Sequence, residues 1–186
     1  MRILRRFSTA AVLLMLVSTA CGSDEGADVR NVGPSATASG TGSGTGTGTH
    51  ADAAKCEPFG DSAGSSKTVN VKLQEWAVLP DVAEAPAGKI TFKLQNTGDD
   101  PHEFLVVKTD DPSTLPVNKN GSFDEAAYGE DKVLGEVEPF PAKSNCEGTF
   151  EMAAGNYALV CNIEEMEQGK VESHFQLGMR TAFKVT

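Results

Sequence analysis

Aromatic and basic side chains are scarce in this 186-residue chain, and histidine is scarcer still. Aromatics make up 6% of the residues, with a single tryptophan, and Lys and Arg number 16 against 26 Asp and Glu. The formal charge is −10, and it becomes −13 once the first 20 residues, with Arg2, Arg5 and Arg6 and no acid, are set aside. So acidic a chain repels nucleic acid and anionic lipid and attracts cationic partners, which excludes a nucleic-acid binder. There is no dinucleotide fingerprint, phosphate loop or nucleophile elbow, so the common nucleotide-binding and acyl-transfer classes fall away. Helical periodicity is sparse, which argues against a bundle. Hydrophobic residues are 39% of the chain, enough for one modest core.

What is present begins with an address. MRILRRF is basic, STAAVLLMLVSTA is apolar and ends in small residues, and Cys21 follows Ala20. Residues 1–20 therefore read as a secretory signal, too short for a spanning helix. Cys21 at that junction resembles the acylated cysteine of bacterial lipoproteins, which implies a lipid anchor on the extracytoplasmic face of the cell membrane. Ser18 stands where that motif usually carries Leu, with Leu16 and Val17 just upstream. The other reading is plain secretion with a free Cys21 thiol, a liability in an oxidising compartment. Residues 21–54 include GPSATASGTGSGTGTGTH, which has nothing bulky to bury and is expected to be a disordered tether. Its typical reach is roughly 30 Å, from about 5–6 Å per square root of residue number. His50 lies in this tract and is set aside as a solvated linker residue.

Residues 55–186 read as one all-β domain. TVNVKLQEW (68–76) and KITFKLQN (89–96) alternate apolar and polar residues, as half-buried strands do. EFLVVKT, KVLGEVE, GTFEM, YALVCN and MRTAFKVT supply further strands, while Pro80, Pro86 and Gly88 break the stretch between the first two. DPSTLPVNKNGS is loop-like, and FDEAAYG has room for one or two helical turns. Many short strands separated by Gly and Pro turns predict a sandwich or barrel.

The chemistry-bearing residues gather late in the chain. An apolar strand ends at Cys161, and His174 and Met179 follow; His102 sits upstream in NTGDDPHEF. One thiolate, two imidazoles and a weak thioether form the donor set of a blue copper site, in which sulfur stabilises Cu(I), the imidazoles tolerate both oxidation states and the axial ligand tunes the potential. Zinc is the rival ion, because Cys and His suit it but a thioether does not. Taken singly, these residues have plainer roles: a buried strand Cys, a surface His, a turn His after Pro101 and a core Met.

Three stretches, AGKITFKLQNTGDDPHEF, GNYALVCN and HFQLGMRTAFKV, resemble the secreted bacterial members of the cupredoxin family. The resemblance spans about residues 67–186. It implies a Greek-key β-sandwich with His102, Cys161, His174 and Met179 as copper ligands. It also implies one-electron transfer at the membrane surface, with the ring edge of His174 as the electron exit near Phe175 or Leu177. Asn96 and Asn162 flank the ligands, and an Asn near the first His ties the ligand loops together in this family. With Cys161 given to the metal, Cys56 and Cys146 are the natural disulfide pair; the rival pairings use Cys161. One feature departs from the family. Its electron carriers place two to four residues between the Cys and second His, whereas here NIEEMEQGKVES intervenes and brings Met166 and Glu172 as rival ligands. Loop closure entropy rises slowly with length, so the ligands can still meet.

The expected function is thus a monomeric type 1 copper protein serving a redox partner with a basic surface, steered by the Glu-rich segment. Copper capture, storage or delivery is the alternative, and a metal-free interaction sandwich is the third reading. An enzyme is not expected: a lone type 1 site offers no place for substrate, and three histidines leave no ligands for a second copper cluster.

Overall fold

The computed structural model describes residues 55–186; the signal, Cys21, the tether and His50 lie outside the described residues. In chain order the strands are β1 (Lys67–Gln74), β2 (Ala77–Pro80), β3 (Glu84–Ala85), β4 (Gly88–Asn96), β5 (His102–Lys108), β6 (Val133–Phe140), β7 (Asn145–Met152), β8 (Gly155–Val160), β9 (Glu164–Glu167), β10 (Lys170–Ser173) and β11 (Arg180–Val185). Two single-turn helices, α1 (Glu125–Tyr128) and α2 (His174–Leu177), are inserted among them. One sheet runs β2-β1-β4-β7, the other β3-β11-β8-β5-β6, and β9-β10 is a separate hairpin. The chain crosses between the sheets from β2 to β3, β3 to β4, β4 to β5, β6 to β7 and β7 to β8. The two-sheet Greek-key sandwich expected from the sequence is what these residues form.

Side-chain alternation explains which strands pack on one face and which on two. In β1, Val69, Val71 and Leu73 are buried while Asn70, Lys72 and Gln74 are exposed. That sheet meets the core on one side only. In β5, Phe104 and Val106 join the inter-sheet core, whereas Leu105 and Val107 enter a second cluster on the outer face. In β8, Tyr157, Leu159 and Cys161 point inward, and Ala158 and Val160 point outward. Leu115, Phe123 and Phe175, from the segments laid over that face, complete the outer cluster. The continuous apolar runs FLVV and YALVC are therefore strands covered on both faces. Phe92 holds the centre, with its ring 5.2 Å from Phe104, 5.9 Å from Phe150 and 5.5 Å from Phe183. Burying each such side chain stabilises the fold by about 1.5–3 kcal/mol.

Cys56 is bonded to Cys146 of β7, across 90 residues of chain. The segment after Cys56 continues along β7: the Phe59 N–H donates to the Glu147 carbonyl (3.1 Å) and the Thr149 N–H to the Phe59 carbonyl (2.7 Å). The bridge thus pins the start of the described chain to the edge of the first sheet.

Two stretches differ from the expectation. The region broken by Pro80, Pro86 and Gly88 holds the short edge strands β2 and β3, which tolerate proline because one side is unpaired. The twelve residues between Cys161 and His174 form an ordered hairpin, β9–β10, rather than a loop. Its register pairs Glu167 with Lys170, leaving Gln168 (φ 48°) and Gly169 (φ 79°) as a two-residue turn. Positive φ at both positions is the turn that suits the twist of a hairpin.

Candidate metal centre

Strand parity delivers the ligands to one end of the sandwich. His102 opens β5 on the same face as Phe104 and Val106, so its ring enters the interior and is fully buried. Cys161 follows β8 in the inward series and is also fully buried. Since β5 and β8 are antiparallel neighbours, the first residue of one lies beside the last residues of the other.

His174 reaches the same place through the hairpin neck and one helical turn. Its N–H donates to the Ile163 carbonyl (3.0 Å), which closes the hairpin so that the long insertion leaves and returns at one point. Ser173 caps α2 by accepting from the Gln176 N–H (3.2 Å). Gly178 ends the turn at φ 126°, and a side chain there would press on the Trp76 carbonyl. The Met179 N–H then donates to the His174 carbonyl (2.9 Å), and the Cys161 N–H to the Met179 carbonyl (2.9 Å). That last bond extends the β8–β11 pairing by one step and sets Met179 opposite Cys161, fully buried in the same core. The four-residue gap between His174 and Met179 is therefore the length of one capped turn.

The donors converge. His102 Nδ1 lies 3.3 Å from His174 Nδ1, and Cys161 Sγ lies 3.4 Å from His174 Nδ1 and 3.9 Å from His102 Nδ1. For a divalent first-row ion with metal–nitrogen bonds of about 2.0–2.1 Å and a metal–sulfur bond of about 2.3 Å, donors in trigonal or tetrahedral arrangement stand about 3.3–3.8 Å apart. The triplet fits one ion. Among the described residues it is the one group of three or more His, Cys, Asp or Glu side chains set closely enough to hold a metal. The rival ligands stay out of it: Met166 is 53% exposed on the hairpin, and Glu172 lies across from Glu165.

The electrostatics call for a cation. Burial, and then the neighbouring His174, lower His102 to about 4, against the opposing pull of Glu75 and Glu165, so its imidazole is neutral with a lone pair to give. Burial, and then the Glu103 carboxyl, push the Cys161 thiol well above its ordinary value. A bound cation is what makes a thiolate favourable in such a place.

Supporting residues hold the frame. Asn96 donates to the carbonyls of Asp100 (2.8 Å) and Pro141 (3.2 Å) and accepts from the Gly98 N–H (3.0 Å), fixing the turn that precedes His102. The Asn162 N–H donates to Glu103 (2.7 Å), and its side chain accepts from the Phe123 N–H (2.6 Å) and donates to Glu125 (3.0 Å). Burial raises Glu103 to about 8, against the lowering effect of that Asn162 N–H and together with the charges of Glu136, Glu125 and Glu138.

Sequence reasoning missed two carboxylates and an indole. Glu165 Oε1 lies 3.1 Å from His174 Nε2, and Glu75 Oε1 lies 3.5 Å from His102 Nε2. The Trp76 ring packs edge-on against His174 at 5.0 Å between centroids. The Gln168-Gly169 pair was the signal for the hairpin that brings Glu165; nothing local marks Glu75, which reaches the site only because β1 ends beside the 97–101 turn. The ring edge of His174, which the resemblance implied as the electron exit, is fully buried, with its outer nitrogen covered by Glu165.

No family model matches the chain, and no curated protein matches it. Among solved structures it is similar to auracyanin from Roseiflexus castenholzii, at 21% identity over 66% of this chain and 99% of that one, with a TM-score of 0.46. Auracyanin A from Chloroflexus aurantiacus, described as a "blue" copper protein, is 19% identical over 70% of this chain and 100% of that one, with a TM-score of 0.42. Rusticyanin from Thiobacillus ferrooxidans is 19% identical over 66% of this chain and 79% of that one, with a TM-score of 0.40.

Proposed function

We propose that this chain is a mononuclear type 1 copper protein of the cupredoxin kind that carries single electrons outside the cytoplasm. The observation that carries the reading is the convergence of two imidazole Nδ1 atoms and one buried thiol sulfur on a space that fits one ion. His102, Cys161 and His174 would hold the copper, and Met179, facing Cys161 across the strand pair, would offer the thioether that favours copper over zinc. The bound ion supplies a Cu(II)/Cu(I) couple. The protein supplies a dry, stiff cage in which three ligands come from strand ends and a capped turn, so little has to move when the charge changes. On this reading the chain is an electron carrier.

The remaining parts of the reading follow from the sequence. Cys21 carries the lipid, residues 21–54 tether the domain, and the domain works as a monomer at the extracytoplasmic face of the cell membrane. The partner is a redox protein with a basic surface, met by the acidic hairpin bearing Glu164, Glu167 and Glu172. Copper capture, storage or delivery is the second reading. The cover over His174 favours it, because a sealed ligand slows electron exchange.

Adding Cu(II) to the purified domain tests the proposal. A strong visible thiolate-to-copper band, a narrow copper hyperfine splitting and quenching of Trp76 fluorescence are expected. A colourless protein would overturn it. Fast electron self-exchange would favour the carrier, and transfer of copper to a partner with slow exchange would favour the copper handler.

A further inference from the structure

Each histidine of the donor triplet turns Nδ1 toward the sulfur and Nε2 toward a carboxylate. His174 Nε2 meets Glu165 Oε1 at 3.1 Å, and His102 Nε2, which has no hydrogen-bond partner, faces Glu75 Oε1 across an electrostatic contact of 3.5 Å. Both rings are fully buried; Glu165 is only 10% exposed and Glu75 25%, so solvent screens the His174 contact less than the His102 contact.

Each carboxylate is delivered on purpose-built backbone. Glu165 lies in β9, and the hairpin folds it back over α2 through the Gln168-Gly169 turn and the Ile163–His174 hydrogen bond. Glu75 follows the last residue of β1, and its Oε1 accepts the N–H groups of Asp99 (2.7 Å) and Asp100 (2.9 Å), in the turn just ahead of His102. Gly98 stands against that carboxyl where a larger residue would collide with it.

We propose that Glu75 and Glu165 are paired positioning residues for the copper site. Resting on the copper reading above, this adds two roles for them. They hold both imidazoles in the tautomer that carries its proton on Nε2, which leaves Nδ1 free to ligate. They also place two negative charges behind the ligand rings, which favours Cu(II) over Cu(I) and lowers the reduction potential. The hairpin is thus an electrostatic cover, and the length of the insertion is what lets a carboxylate reach a ligand edge.

The test uses the copper-loaded domain with Glu75→Gln, Glu165→Gln and the double variant. Glutamine keeps an acceptor oxygen at nearly the same volume and removes the charge. Each single variant is expected to keep the visible band and to shift the Cu(II)/Cu(I) equilibrium about tenfold toward Cu(I), which is about 59 mV upward for one electron. The double variant shifts further than either single. A retained band with potentials unchanged in all three variants overturns the inference while leaving the copper site intact. Absence of the band in the unsubstituted protein overturns the copper reading itself. If a variant fails to fold, nitrogen-15 NMR of the unsubstituted Cu(I) protein decides: protons on Nε2 of both rings support the pairing, and a proton on either Nδ1 overturns it.

Discussion

Among the described residues, cysteine sulfur lies in two regions, and they put it to opposite uses. Cys56 and Cys146 meet at the edge of the first sheet and close a bond across 90 residues. Cys161 stands at the end of β8, buried, unbridged and flanked by two imidazoles. All three are cysteines of one oxidising-compartment chain on the reading above, so the element does not decide the fate. The neighbours do. Cys146 has a second thiol within bonding reach, whereas Cys161 has ring nitrogens and a wall of apolar side chains. The disulfide therefore belongs to stability and the lone thiol to chemistry, and each can be removed without touching the other.

The largest expected effect comes from breaking the chemical side. Cys161→Ser should abolish the visible band and weaken Cu(II) binding by more than about 100-fold, since even residues one shell out from a metal cost about 10–100-fold. The change is nearly isosteric but buries a hydroxyl, so the copper-free variant should still fold, at a cost of up to about 1–3 kcal/mol. Survival of the band would remove Cys161 from the site.

The structural side should respond in reverse. Changing Cys56 and Cys146 together to Ala should lower unfolding free energy by about 2–5 kcal/mol, because the loop it closes is long and its closure entropy returns to the unfolded state. The copper spectrum should be unchanged, since the bridge lies at β7 and the ligands come from β5, β8 and α2. Denaturant midpoints and visible spectra of one preparation check both halves. A spectrum altered by the double change would show that the two sulfur regions are mechanically linked.

How much of this contrast was legible in the sequence follows from what each signal is made of. Alternation in TVNVKLQ and unbroken apolar runs in FLVV and YALVC are local, and they marked the strands; that the latter are covered on both faces emerged only with the outer cluster. The ligand types were legible because the chain holds so few histidines and cysteines, and because a four-residue gap between His174 and Met179 is one capped turn. The hairpin was hidden because its strands are almost wholly polar, with Met166 and Val171 exposed. It buries no apolar face of its own, so hydrophobic periodicity had nothing to report. Glu75 was hidden for a different reason: its role exists only in the contact between the end of β1 and the turn before His102, and no window of sequence contains both.

The smallest expected effect sharpens the comparison by charge. Beside the Cys161 region, the carboxyls of Glu103, Glu125, Glu136 and Glu138 crowd β5, β6 and α1. Burial, and then the hydrogen bond and charge of Glu138 and the charge of Glu125, raise Glu136 to about 7. A carboxyl raised in the folded state favours folding fully only while the unfolded chain is also protonated. As pH climbs from about 4.5 to about 7 the unfolded chain sheds its proton first, and stability is lost across that window and then levels off. His102, lowered to about 4, works in the opposite sense below about 6.5, so the raw profile mixes the two. The difference between the unsubstituted protein and Glu136→Gln isolates the carboxyl. Glutamine mimics the protonated form, so its advantage in urea midpoint should be near zero at pH 4.5, grow up to pH 7 and stay constant to pH 8. Glu136 is partly open to solvent, which keeps the gain small. An advantage that is flat with pH would show that the crowding of carboxyls around β6 carries no energetic weight. The two sulfur regions would then differ in their ring nitrogens alone.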